Sequence, residues 1–212
     1  MARTSGQSGQ QTRDKLIRAA EEIFAAQGTD GAQLRDIVAL AGQSNPSAVQ
    51  YHFGSRAGLL DAVMAGRQER TERVVAPLLG SLPDDCGVRD LLTALVTAEA
   101  SLLADDRGRR CLRISAGLSH ETGLRTGRPH PALDGTAYGR LIGRIGDRLS
   151  ALPEPVRLER LDLALTLIGA ALADRARQGL DGTRPLTGQE LFLADLVGST
   201  TAFLHAPAPH GA

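Results

Sequence analysis

Tryptophan is absent from this 212-residue chain, and the aromatic set is four Phe and two Tyr. Val, Ile, Phe and Tyr together supply 22 residues, against 63 of Leu and Ala. β-Branched and aromatic side chains suit the pleated sheet, so their scarcity excludes a sheet-rich fold and points to an all-α protein. Cysteine is nearly absent: Cys86 and Cys111 are too few for a disulfide framework or a four-thiolate metal site. Lysine is reduced to Lys15 among 24 basic residues, and neither sign of charge is in excess, with 24 basic against 24 acidic side chains. That balance excludes a sticky polycation but leaves room for a small nucleic-acid face on a neutral body. No apolar run reaches the length of a membrane span, and residues 1–11 lack the apolar stretch of a secretory signal. A soluble, cytoplasmic protein with no membrane partner is expected.

What the sequence does have is helical rhythm. Residues 1–11 carry almost no apolar side chains and are expected to form a disordered tail. From Thr12, a good N-cap, Leu16, Ile17, Ala20, Ile23 and Phe24 recur at the spacing of one helix face, and Gly28 ends the helix. A second short helix carries Leu34, Ile37, Val38 and Ala41 and stops at Gly42. Asn45 is the expected N-cap of a third, with Pro46 at its first position. Val49 and Phe53 mark that helix's inner face, and Gly54-Ser55 break it. Helices are predicted further on over about 56–80, 87–104, 108–121, 132–152, 154–179 and 188–205. The expected organisation is an N-terminal three-helix helix-turn-helix domain, 12–55, joined to a larger helical domain, 56–206, with a tail at 207–212.

Two short helices across a glycine turn, braced by a third, make the helix-turn-helix pattern, which alone is weak evidence. The longer string is more specific: Ala19, Ala20, Phe24 and Gly28 in the first helix, Ile37 and Ala41-Gly42 in the second, Tyr51-His52-Phe53 closing the third, and Arg56 with Leu59-Leu60 opening the fourth. These residues resemble the DNA-binding domain of the tetracycline-repressor (TetR) family of bacterial transcriptional regulators, over about 55 residues. Beyond them only the helical layout and length are similar. The chain departs from the family pattern in having Ala32-Gln33 before the second helix, a turn longer by one residue at Asn45-Pro46, and Gln50 where a tyrosine is common.

A recognition helix presents its N-terminal part to base edges in the major groove. Ser44, Asn45, Ser47 and Gln50 can hydrogen-bond there, and Ala48 can meet a thymine methyl. Arg35, Tyr51, His52 and Arg56 suit phosphate contacts. Residues 1–60 hold six basic and five acidic side chains, so binding rests on a few placed cations and not on a broad field. The alternative is that the polar residues merely cap loops.

Reading a palindromic operator in double-stranded DNA needs a two-fold partner. The last two long helices are the candidates for a homodimer interface, with Leu161, Leu165, Ile168 and Leu172 on one and Leu193, Val197, Thr200 and Leu204 on the other. Leu163, Leu167 and Phe192 form a second apolar face that also needs cover. The resemblance implies that these helices pair with their symmetry mates, and that a small-molecule effector bound in the larger domain moves the fourth helix. The implied function is a dimeric repressor released from its operator by a ligand; the alternative is a helix-turn-helix protein that senses nothing.

Gly139, Gly143 and Gly146 lie on one helix face and either leave room for a ligand or allow tight packing. Arg107, Arg109, Arg110, Arg113, Arg125 and Arg128 suggest an anionic ligand or, more simply, side chains that are solvated or paired with Asp105 and Asp106. His120, Glu121 and His130 are a weak metal signal, and no metal or other cofactor is expected. Cys111 reads as a core thiol. No catalytic constellation or phosphate-binding glycine loop occurs, so an enzyme is not expected.

Overall fold

The computed structural model describes residues 3–45, 47–118 and 133–207. Among them every regular element is helical: α1 (Arg3–Gly31), α2 (Leu34–Leu40), α3 (Ser47–Phe53), α4 (Arg56–Ser81), α5 (Val88–Ala100), α6 (Asp106–Leu118), α7 (Ala137–Arg148), α8 (Glu154–Leu180) and α9 (Gln189–Leu204). A short 3-10 helix, Ser101–Ala104, joins α5 to α6, so the predicted 87–104 helix tightens in its last turn. Pro46, the region 119–132 with His120, Glu121, Arg125, Arg128 and His130, and residues 208–212 lie outside the described residues.

Helix α1 differs from expectation at its start. It begins at Arg3, so Thr12 lies inside a helix instead of capping it. Polar composition removes a buried face but does not forbid helix: Gln10 donates to Asp14 one turn on at 2.9 Å. The end is as expected, because Gly28 leaves the helical region with φ +77°.

Two apolar cores organise the chain. The first gathers Leu16, Ala20 and Phe24 of α1, Ile37 of α2, Val49 of α3, and Leu59 and Val63 of α4. The second gathers α5, α7, α8 and α9 around residues such as Leu91, Leu95, Leu141, Ile145, Leu172 and Leu204. Each fully buried aliphatic side chain contributes roughly 1.5–3 kcal/mol by leaving water. Helices α4 and α6 serve both cores. The first turns of α4 belong to the N-terminal core and Val75 and Leu79 to the other; α6 sends Cys111 and Ile114 one way and Leu112 the other.

The bridging helices share a local device with α7. Ser55, Asp105 and Thr136 each accept a hydrogen bond from the backbone N–H of a glycine three residues on, Gly58, Gly108 and Gly139, at 2.8–2.9 Å. These glycines are required by crowding. A Cβ on Gly108 would stand 2.0 Å from the Leu102 carbonyl oxygen, and one on Gly58 would stand 2.1 Å from that of Phe53. Gly139 is equally tight against Leu133, whereas Gly143 faces open space and Gly146 meets the Leu161 side chain in ordinary contact. Close packing therefore accounts for Gly139 alone, and Gly143 leaves room only towards solvent.

Candidate DNA-binding interface

The geometry of the N-terminal unit follows from its turns. Ala41 and Gly42 end α2, Gly42 taking φ +67°, which a side chain would strain, and Gln43 folds its amide back towards the Ala41 carbonyl. The Asn45 carboxamide oxygen then accepts from the Ser47 N–H at 2.9 Å, so Asn45 caps α3 as expected. That bond uses its oxygen and leaves its NH2 group able to donate outward. Gln33, by contrast, makes no side-chain cap at α2.

With Val49 buried in the same core as Ile37 and Phe24, the other faces of α3 are turned out. Ser44, Asn45, Ser47, Gln50 and Tyr51 are exposed, and Ala48 and His52 are half-buried. Tyr51, 83% exposed, meets the His52 ring edge-on at 4.9 Å. Residues 42–45 with Ser47, Ala48, Tyr51 and His52 line an open concavity of about 660 Å³. An exposed row of hydroxyls and amides beside an apolar methyl suits base edges better than an apolar partner. Arg35 projects from α2 with its side chain 77% exposed and only a 3.5 Å contact to Asp36, so it is free to swing to a phosphate.

Arg56 is placed differently from the sequence expectation. Its Nε donates to the Ala32 carbonyl at 3.1 Å, a terminal nitrogen donates to the Thr29 carbonyl, and the guanidinium lies over the Phe24 ring at 5.3 Å. It braces the loop between α1 and α2, and the planar fork that would have gripped a phosphate is committed inward. Sequence inspection also missed Arg13, whose guanidinium covers the Phe53 ring at 5.2 Å, next to the predicted site. No local pattern signals such a contact across helices.

Behind this face, α1 is tied to α6. Arg107 donates twice to Glu21, at 2.6 and 2.8 Å, and Arg110 approaches Glu22 at 3.6 Å. Among the described residues, the expected pairing of these arginines with Asp105 and Asp106 is made by Arg109, which reaches Asp106 at 2.7 Å; Asp105 takes Arg70 from α4. Hydrogen bonding to Glu21 raises the Arg107 pKa despite burial. Cys111, buried one turn along, has its thiol pKa pushed up to about 11, first by burial and then by Glu21. A thiol this hard to ionise suits a core position and not redox sensing.

The expected dimer residues fall on the inner side. Leu161, Ile168, Leu172, Val197, Thr200 and Leu204 are buried in the protomer's own core, and Leu165 and Leu193 pack against it. Two faces of α8 are apolar, and helical spacing alone does not say which of them meets the core. The face left out carries Leu163, 47% exposed, and Leu167, 44% exposed, with Leu191 exposed on α9.

The second core also holds a polar group. Arg67 of α4 donates to Glu99 of α5 at 2.5 Å, with both side chains largely buried. Burial disfavours the Arg67 charge, but Glu99 outweighs it and the guanidinium pKa is raised. Burial pushes the Tyr138 phenol of α7 well above its ordinary value, with Glu99 adding to the shift, so it stays neutral. Arg67 Nε, Glu99 Oε1 and Thr71 Oγ1 are buried without a hydrogen-bond partner among the described residues. Each such group costs about 1–3 kcal/mol.

An all-helical chain whose first core holds up a short polar helix after a glycine turn defines a helix-turn-helix protein. Residues 16–63 match the model of bacterial regulatory proteins, tetR family, so this stretch of the chain is similar to that family's N-terminal domain. Over 80 residues the chain is 40% identical to two proteins of Pseudomonas putida, the HTH-type transcriptional regulator SrpR and the uncharacterized HTH-type transcriptional regulator TtgW. That stretch is 38% of this chain and spans 37% and 59% of those two proteins, respectively. The whole fold is similar to a TetR-like transcriptional regulator from Rhodococcus sp. RHA1, with TM-score 0.53, 14% identity, and 91% and 93% of the two chains covered. It is likewise similar to Salmonella enterica GusR, with TM-score 0.51, 20% identity, and 91% and 95% covered. Among the described residues no helix is long and apolar enough to cross a membrane.

Proposed function

We propose that the chain is a dimeric, cytoplasmic, sequence-specific DNA-binding regulator, a repressor released from a palindromic operator by a small-molecule ligand. The observation that carries this reading is the exposed row Ser44, Asn45, Ser47, Gln50 and Tyr51 on a helix whose opposite face is locked into the first core. Ser44, Asn45, Ser47, Ala48 and Gln50 read base edges, while Arg35, Tyr51 and His52 hold phosphates. The homodimer forms through Leu163 and Leu167 of α8 with Leu191 of α9, because these are the large apolar side chains left exposed on the last two helices among the described residues. Two-fold pairing places two recognition helices about 34 Å apart, the repeat of the duplex. Ligand release follows if the effector prefers the arrangement in which this spacing is lost.

Selection from a random double-stranded DNA library tests the reading. An inverted repeat is the expected product. Gln50→Ala with Tyr51→Ala should abolish binding to it without loss of helicity. Recovery of no preferred sequence at moderate salt would refute the assignment. Light scattering tests the interface: Leu163→Arg with Leu167→Arg should give folded monomers, whereas charge at the buried Ile168 should unfold the domain.

A further inference from the structure

The second core contains one polar cluster that the helix-turn-helix does not use. It is drawn from three helices: Arg67 and Thr71, one turn apart on α4, Glu99 on α5 and Tyr138 on α7. The rest of that core is built from apolar side chains, which have no need of an ion pair. The pair is also incompletely bonded. Glu99 gives one oxygen to Arg67 and keeps Oε1 without a partner; Arg67 keeps its Nε–H; Thr71 keeps its hydroxyl. Glu99 and Thr71 are among the most deeply buried polar residues of the chain. The cluster therefore offers an acceptor, a donor and a hydroxyl to a group brought in from outside.

The chemistry of those three atoms defines the group. It must accept from Arg67 Nε and donate to Glu99 Oε1, and Thr71 can do either. Arg67 and Glu99 already neutralise one another, so a charged head would add an unbalanced buried charge. The core of this domain is otherwise largely aliphatic, which suits an apolar body.

We infer that the Arg67–Glu99–Thr71 cluster, with Tyr138 beside it, is the effector-recognition site, and that it takes an uncharged lipophilic molecule headed by an amide or hydroxyl group. This rests on the ligand-responsive reading above and adds the site and the ligand class. The position of the cluster supplies the link to DNA. Arg67 follows Leu59 and Val63 on the same helix, and those residues sit in the core that supports α3. On the same stretch of α4, Arg70 holds Asp105 at the start of α6 and the Glu72 carboxylate accepts from the Tyr138 N–H at 3.2 Å. A head group pulling on Arg67 acts on a helix already tied to α6 and α7.

The test uses the full chain and four probes with one eight-carbon body: octanamide, 1-octanol, octanoate and octylammonium, with binding followed by calorimetry. Octanamide and 1-octanol should bind at least about tenfold more tightly than either charged probe. Thr71→Val should weaken octanamide and 1-octanol about fivefold without lowering the melting temperature of the free protein. Glu99→Gln leaves Arg67 unbalanced and should move the preference to octanoate. If Glu99→Gln fails to fold, the wild-type ranking and Thr71→Val still decide. Equal binding of all four probes, no binding of octanamide and 1-octanol, or an unchanged affinity in Thr71→Val would overturn the site, leaving buried water as the partner of these atoms. Operator binding separates this inference from the reading beneath it. If the ranking holds but saturating octanamide leaves operator affinity unchanged, the site stands and ligand release falls. If another compound releases the operator equally from wild type, Thr71→Val and Glu99→Gln, release stands and this site falls.

Discussion

Glu21 and Arg107, 86 positions apart, face each other through two hydrogen bonds of 2.6 and 2.8 Å, fastening the first helix of the DNA-binding unit to α6. The Glu21 side chain is 5% exposed and the Arg107 side chain 50% exposed, so the two partners are not equivalent. Removing Arg107 strands a buried carboxylate; removing Glu21 returns an arginine to water. Arg107→Ala should destabilise the protein by about 2 kcal/mol and Glu21→Ala by less, because unpaired burial is the larger cost. Urea unfolding of the double-mutant cycle measures the coupling, and equal losses in the two single variants would contradict the asymmetry.

The two arginines near the recognition helix should separate by their readouts. Arg56→Ala removes a brace bonded to the Thr29 and Ala32 carbonyls, so its melting temperature should fall. Arg35→Ala should leave the melting temperature unchanged and lower the salt slope of operator binding by about one. Thermal denaturation alongside a salt titration distinguishes them. A stable Arg56→Ala protein with a reduced slope would return Arg56 to the phosphate-contact set.

Glycine replacements should have opposite signs at two helical sites. Gly108→Ala forces a methyl to within 2.0 Å of the Leu102 carbonyl oxygen, and backbone must shift to admit it. Gly66→Ala in α4 meets nothing within 4 Å. The first should cost about 1–3 kcal/mol through strain, and the second should stabilise by about 0.5–1 kcal/mol by restricting the unfolded chain. Paired chemical denaturation checks the sign.

Cys111 carries a pH dependence. Its pKa is raised in the folded state to about 11 from an ordinary 9.0. The unfolded chain therefore loses this proton first as pH rises. The thiol's contribution is complete below pH 9.0 and is lost as pH climbs through about 11. Cys111→Ser should flatten the alkaline fall in stability seen by circular dichroism, and iodoacetamide should label native Cys111 far more slowly than the unfolded chain at about pH 8.5. Rapid labelling of the native protein would show that the thiol is not held in this environment.

Much of the architecture was legible in the residues. Periodicity located α2, α3, α4, α8 and α9 to within a residue or two, and glycines at 28, 42 and 54 marked true breaks, each with positive φ. Asn45 was recognisable as a cap because an Asx side chain meets its own backbone two residues on, a local event. The start of α1 was not legible, since polar helix has no apolar face to announce it. Nor were the tasks of the arginines. Arg56 looked like a phosphate ligand until its carbonyl partners on the α1–α2 loop were in place, 24 and 27 positions away.

The sequence by itself determined the all-helical class, the helix-turn-helix and the polar composition of its outer face, because these follow from spacings of three, four and seven along one stretch of chain. Only the tertiary structure decided which face of α8 became core, which carboxylate each arginine met, and that Arg67 pairs with Glu99 inside the second core. Helical period shows that a face is apolar but not what covers it. Pairing of side chains tens of residues apart depends on helix crossings that no local spacing records.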